Sequence, residues 1–103
     1  MKYTPKPASR ELFEVILLLK TEAECTKFFR DLLTEAEIKE FSNRWKVANM
    51  LNKKIDYKTI ETETKMSSTT IARISKWLNS GMGGYRLMLN RLSTHHPAKS
   101  IAG

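Results

Sequence analysis

The chain has 103 residues, 41% hydrophobic and 28% charged, with a formal charge of +7 and one cysteine. That length holds one core but not two, and a lone Cys25 excludes an intramolecular disulfide. The longest apolar run, VILLL over Val15–Leu19, is too short to span a bilayer.

The charge is unevenly spread. Up to Asn43, seven Lys/Arg stand against eight Asp/Glu; from Arg44 onward, eleven stand against three. A basic half of this kind suits a phosphate-facing surface, although basicity kept for solubility is the plainer alternative. The opening MKYTPKPASRELFE lacks the unbroken apolar stretch of a secretory signal. The expected compartment is the reducing cytoplasm, without a membrane.

In chain order, residues 1–8 read as a flexible arm, because Pro5 and Pro7 remove helix hydrogen bonds. A single helical domain is expected over 9–94 and a disordered tail over 95–103. Ser9 is the expected N-cap of a first helix running to about Lys20. Its apolar residues, from Leu12 to Leu19, cover most of the circumference, which asks for burial on several sides and points to a second subunit. Thr21 with Glu24 and Thr34 with Glu37 spell two capping boxes, and Cys25 reads as a small core residue. The helix after Thr34 runs to about Asn52, with an amphipathic stripe at Ile38, Phe41, Trp45, Ala48 and Leu51. Lys53, Lys54 and Ile55 form a short connection, and Asp56 can cap the next helix. Beyond Leu78, NSGMGGY breaks helix formation. A last helix then carries Tyr85, Met88, Leu89 and Leu92. No strand-like alternation occurs, so the fold class is all-α.

The segment 56–78 reads as a helix-turn-helix. Ile60, Met66, Ile71 and Ile74 stand at the spacings its packing needs, and Ser67 can cap the second helix. A step of 100° per residue places Ile74 and Leu78 with Ile71, and gathers Ser68, Thr69, Ala72, Arg73 and Lys76 on the opposite side, with Asn79 at the margin. Short side chains let a helix sit deep in a major groove. Hydroxyls can bond base edges, and methyl groups can meet thymine. Arg73 and Lys76 are placed for phosphates or guanine, and Lys53, Lys54 and Lys58 for the backbone at the start of the first helix. Ser67, at the N-terminus of the second helix where free N–H groups favour a phosphate, is counted among the expected DNA contacts. Two letters depart from the common pattern: Glu61 where a small residue eases helix approach, and Lys65 where glycine usually takes positive φ, at about 1 kcal/mol of strain. An ordinary helical hairpin with a solvated polar face is the alternative.

Several strings together resemble the tryptophan repressor superfamily, in its YerC/YecD branch. They are LLTEAEI (Leu32–Ile38), Arg44, VANML (Val47–Leu51), Tyr57 with Ile60, ETETKMSSTTIARI (Glu61–Ile74), WLNSGMGGY (Trp77–Tyr85) and LNRL (Leu89–Leu92). The resemblance implies a six-helix, intertwined homodimer whose fourth and fifth helices form a DNA-reading head. It further implies a transcriptional regulator that places two recognition helices in successive major grooves of a palindromic operator. The arginines and threonines of the tryptophan site match Arg44, Arg73, Thr34 and Thr70. The glycine and serine that make room for the ligand match Ile74 and Trp77, whose bulk fills that room, and the connection before Asp56 is one residue shorter. The expectation is therefore that no tryptophan and no other cofactor is bound. A built-in side chain in the ligand's place is one hypothesis for how.

Arg44, opposite the stripe of its helix, reads either as a ligand or phosphate contact or as a solvated arginine. Trp45 and Trp77 read as core. His95 and His96 have no companion ligands in sequence, and Gly81–Gly84 read as a turn rather than an anion nest. No nucleophile–base pair, phosphate loop or carboxylate pair suggests an enzyme. The leading expectation is a dimeric regulator of double-stranded DNA. The alternatives are an amino-acid-responsive repressor of the same fold and a helical protein-interaction module, the latter disfavoured because the Ser68–Lys76 face has no aromatic or aliphatic anchor.

Overall fold

A computed structural model describes residues 2–95. Among them are six helices and no strand: α1 (Pro7–Ile16), α2 (Glu22–Leu32), α3 (Glu35–Asn52), α4 (Tyr57–Thr64), α5 (Ser68–Ser80) and α6 (Gly84–His95). The expected all-α, six-helix class is therefore found. The tail expected at 95–103 lies outside the described residues except for His95. The chain divides into two compact units, Lys2–Ser42 and the part from Asn43 onward.

In the first unit, α1 begins at Pro7, two residues before the expected Ser9, so Pro7 and Ala8 do not belong to an extended arm. Proline is tolerated at the first helical position because its missing N–H would have no partner within the helix. Lys6 is the N-cap and makes no side-chain cap. Ser9 instead lies inside the helix, where its hydroxyl accepts from Tyr3 at 3.4 Å. α1 also stops early, at Ile16. The N–H groups of Leu18 and Leu19 reach back only three residues, to Val15 and Ile16, tightening the chain into a turn.

The Thr21 hydroxyl caps α2 through the Glu24 N–H, at 3.1 Å. The Glu24 carboxylate reaches one residue further than a capping box requires and accepts from the Lys20 N–H at 2.9 Å. At Thr34 the box is fully reciprocal: Glu37 N–H to the Thr34 hydroxyl at 3.1 Å, and Thr34 N–H to the Glu37 carboxylate at 2.9 Å. That backbone N–H holds the Glu37 carboxyl below its ordinary range. Neither α1 nor α2 contains a buried residue. Phe13, Val15, Leu32 and Phe41 are about half exposed, and Leu17 is 82% exposed. Cys25 is half-buried rather than core.

The second unit contains the buried core: Val47, Ala48 and Met50 of α3, Ile60 of α4, and Ile71 and Ile74 of α5. Val47, Ile60, Ile71 and Ile74 are fully enclosed, each contributing about 1.5–3 kcal/mol of apolar burial. Within α3 the expected stripe is only partly what is buried. Ala48 is enclosed, Trp45 and Leu51 are half-buried, and Phe41 is exposed, while Val47 and Met50, outside the stripe, are core. The last turns of α3 meet side chains from α4, α5 and their connections, including Ile55 and Met66. Enclosure from several directions covers the residues beside a stripe as well as the stripe itself.

α3 ends in a Schellman turn. The Ile55 N–H bonds the Met50 carbonyl at 3.1 Å and the Lys54 N–H bonds that of Leu51 at 3.0 Å, with Lys54 left-handed at φ 64°. Asp56 then caps α4, its carboxylate accepting from the Thr59 N–H at 2.8 Å. α4 closes at Lys65, also left-handed at φ 61°. A side chain with a Cβ costs about 1–2 kcal/mol in that conformation. The turn is pinned by Thr64, a buried polar residue. Its hydroxyl donates to the Ile60 carbonyl at 2.7 Å and accepts from the Met66 N–H at 3.3 Å. α4 and α6 both pack on α5. Leu89 of α6 is buried, whereas Met88 and Leu92, expected beside it, are substantially exposed.

Candidate nucleic-acid interface

α5 has two unlike sides. Ile71, Ile74 and Leu78 are buried, and this ridge fixes the rotation of the helix about its axis. Ser68, Thr69, Ala72, Arg73, Lys76 and Asn79 are all exposed. Thr69, Ala72, Arg73 and Lys76 stand at i, i+3, i+4 and i+7, one continuous face of a helix. Among the described residues, the side chains of Ser68, Thr69, Arg73 and Lys76 make no hydrogen bond or ion pair, so their donors and acceptors face solvent.

Ser67 and Thr70 differ from that group. The Ser67 hydroxyl accepts from the Thr70 N–H at 3.2 Å and donates to the Thr70 hydroxyl at 3.0 Å. Both hydroxyls thus serve the start of the helix. Lys53 and Lys54 lie exposed in the α3–α4 connection, and Lys58 lies exposed in the first turn of α4. Asp56 beside them is acidified chiefly by the Thr59 N–H, with a smaller contribution from the charge of Lys58.

Of the four residues matched to a ligand site, Arg44, Thr70 and Arg73 lie in the second unit. Thr34 belongs to the Lys2–Ser42 unit, where its hydroxyl is engaged by Glu37. Thr70 is engaged by Ser67, and Arg73 is exposed. Arg44 is half-buried rather than fully solvated, and its charge offsets part of the upward push that burial gives the Tyr85 hydroxyl. An open groove of about 480 Å³ does exist in the second unit. It is lined by Trp45, Trp77, Met82, Gly84, Tyr85 and Met88, and by none of those four. The rings of Trp45 and Tyr85 lie 6.4 Å apart. Both tryptophans therefore wall a groove instead of filling the core, although Trp77 also packs against it. Ile74 is fully buried.

Sequence reasoning missed two contributions to this region. The Arg86 guanidinium donates to Asn52 at 2.8 Å and to Asn79 at 3.5 Å, joining α6 to the ends of α3 and α5. No spacing rule relates residues 34 apart. The second is Gly81: a Cβ there would lie 2.5 Å from the Trp77 carbonyl oxygen.

A family model described as Trp repressor protein matches residues 8–93. The chain belongs to the Trp repressor family. It is 44% identical over 82 residues to the uncharacterized protein YerC of Bacillus subtilis (strain 168), covering 80% of this chain and 79% of that one. Two solved structures are similar. One is a candidate Trp repressor from Staphylococcus aureus, 40% identical, with a TM-score of 0.80 over 85% of this chain and 88% of the other. The other is a TrpR-like protein from Eubacterium eligens ATCC 27750, 39% identical, with a TM-score of 0.81 over 84% and 90%. The Trp repressor family is one of DNA-binding regulators, not of enzymes. Among the described residues, no helix is long and apolar enough to cross a membrane.

Proposed function

We propose that the protein is a sequence-specific regulator of transcription. It binds double-stranded DNA as a homodimer in the cytoplasm, with α5 in the major groove. The observation that carries this reading is the unengaged face of α5, held outward by buried isoleucines on the other side. Ser68, Thr69 and Ala72 face base edges, and Arg73 and Lys76 contact bases or phosphates. Ser67 contributes by ordering the helix N-terminus, whose free N–H groups favour a phosphate. Lys53, Lys54 and Lys58 neutralise the DNA backbone.

The dimer is supported by the first unit, whose helices α1 and α2 bury no residue while Phe13, Val15, Leu17 and Leu18 lie open. Apolar surface on that scale is the signature of an interaction face. In a two-fold dimer the paired α5 helices meet successive major grooves about 34 Å apart. An amino-acid-responsive mechanism is less well supported, because the side chains lining the open groove are almost wholly apolar and give a ligand's ammonium and carboxylate little to bond.

The deciding experiment is selection of bound duplexes from a random pool at physiological salt. The expected product is a pseudo-palindrome with half-sites one helical turn apart. Enrichment of no sequence, or of asymmetric single sites, refutes the reading.

A further inference from the structure

Two lysines occupy the left-handed backbone positions that glycine takes most cheaply. Lys54 has φ 64° at the end of α3, and Lys65 has φ 61° at the end of α4. Both are exposed, and neither side chain makes a hydrogen bond or ion pair among the described residues. The strain thus has no side-chain compensation among the described residues. A lysine at a helix C-terminus does gain from the helix dipole, but glycine would satisfy the same turns without the strain. The turns require the left-handed backbone but not a lysine in it, and strained non-glycine positions of this kind are candidates for function.

Their placement suggests which function. Lys54 and Lys65 bracket α4, whose eight residues span about 12 Å, and Lys58 lies between them. Lys65 also stands two residues before Ser67, the N-cap of α5. In a helix-turn-helix the first helix crosses the phosphate backbone while the second enters the groove. We infer that Lys54 and Lys65 are phosphate anchors at the two ends of α4, the left-handed backbone aiming each ammonium at the DNA strand. For Lys65 this is a new contact, and for Lys54 it gives a reason for the strained turn. The inference rests on the DNA-binding reading above.

The test uses the full chain and a mixed-sequence duplex, titrated by fluorescence anisotropy between 50 and 200 mM salt. Lys54→Gly and Lys65→Gly should each flatten the plot of log affinity against log salt by about 0.9. The affinity lost across that salt range then shrinks by about 3.5-fold for each variant, and by about twelvefold for both together. Lys→Arg at either site should keep the wild-type slope, and the glycine variants should melt no lower than wild type. Wild-type slopes in the glycine variants overturn the inference and leave the parent reading standing. So do arginine variants as flat as the glycine ones, or glycine variants that melt clearly lower, which would mean that the lysines serve the fold. A wild-type protein that binds no duplex removes both.

Discussion

Three glycines at the junction of α5 and α6 should respond in three different ways to the same added methyl group. At Gly81 a Cβ would stand 2.5 Å from the Trp77 carbonyl oxygen and 3.1 Å from the Trp77 carbonyl carbon and Cα. These are backbone atoms of the preceding turn, and the Gly81 N–H already bonds that oxygen at 2.9 Å. No side chain can swing aside, so relief requires moving the end of α5. Overpacking of this kind costs about 2 kcal/mol, which for a chain of this size lowers the melting temperature by about 10 °C. Gly83→Ala meets no atom within 4 Å but must hold φ 88°, at about 1 kcal/mol. Gly84→Ala has open space, ordinary φ and a place at the start of α6, and should gain about 0.5 kcal/mol through the unfolded chain. Circular dichroism melts at one fixed protein concentration give the order Gly84→Ala, wild type, Gly83→Ala, Gly81→Ala. A Gly81→Ala protein that melts within 2 °C of wild type, on the scale of about 10 °C predicted, would refute the close-approach argument.

Other predictions concern the caps, the buried turn and the exposed face. Asp56 and Glu37 both have folded pKa values lowered by backbone N–H bonds. The stability they contribute is fully present above their unfolded values and is lost as pH falls through the folded ones, below about pH 4. Urea midpoints measured down the acid range should therefore fall less steeply in an Asp56→Asn, Glu37→Gln protein; an identical profile would count against the caps. Thr64→Val removes the hydroxyl that serves Ile60 and Met66 and should cost about 1–2 kcal/mol in urea unfolding. A neutral result would mean that the turn does not need this bond. On DNA, Lys76→Ala should weaken binding to all duplexes and lower the salt slope by about one, whereas Thr69→Ala should change preference among sequences. An unchanged slope in the first, or a uniform loss in the second, would reassign those residues.

The caps were legible because their signal is local. Thr21, Thr34, Asp56 and Ser67 each stand three residues before the N–H they receive, so the pattern is complete within four letters. The rotation of α5 was legible for the same reason: one buried isoleucine fixes the azimuth of every residue within two turns. What failed needed non-local information. The Pro7 start required knowing that the chain turns helical at the one position where proline is harmless. The core face of α3 required knowing that α4, α5 and their connections enclose its final turns, making Val47 and Met50 core and leaving Phe41 outside. The engagement of the Thr70 hydroxyl by Ser67 was hidden because a threonine three residues after a serine cap could equally point its hydroxyl outward.

The two sides of α5 carry their burdens separately. Ile71, Ile74 and Leu78 hold the rod in place, and Thr69, Ala72, Arg73 and Lys76 add nothing to that hold. Exchanges on the outer flank should each stay within about ±0.5 kcal/mol of the original stability. A lineage can therefore rewrite its target one letter at a time, with every intermediate still folded. Ser67 and Thr70 are exempt from that freedom, because altering either also loosens the first turn.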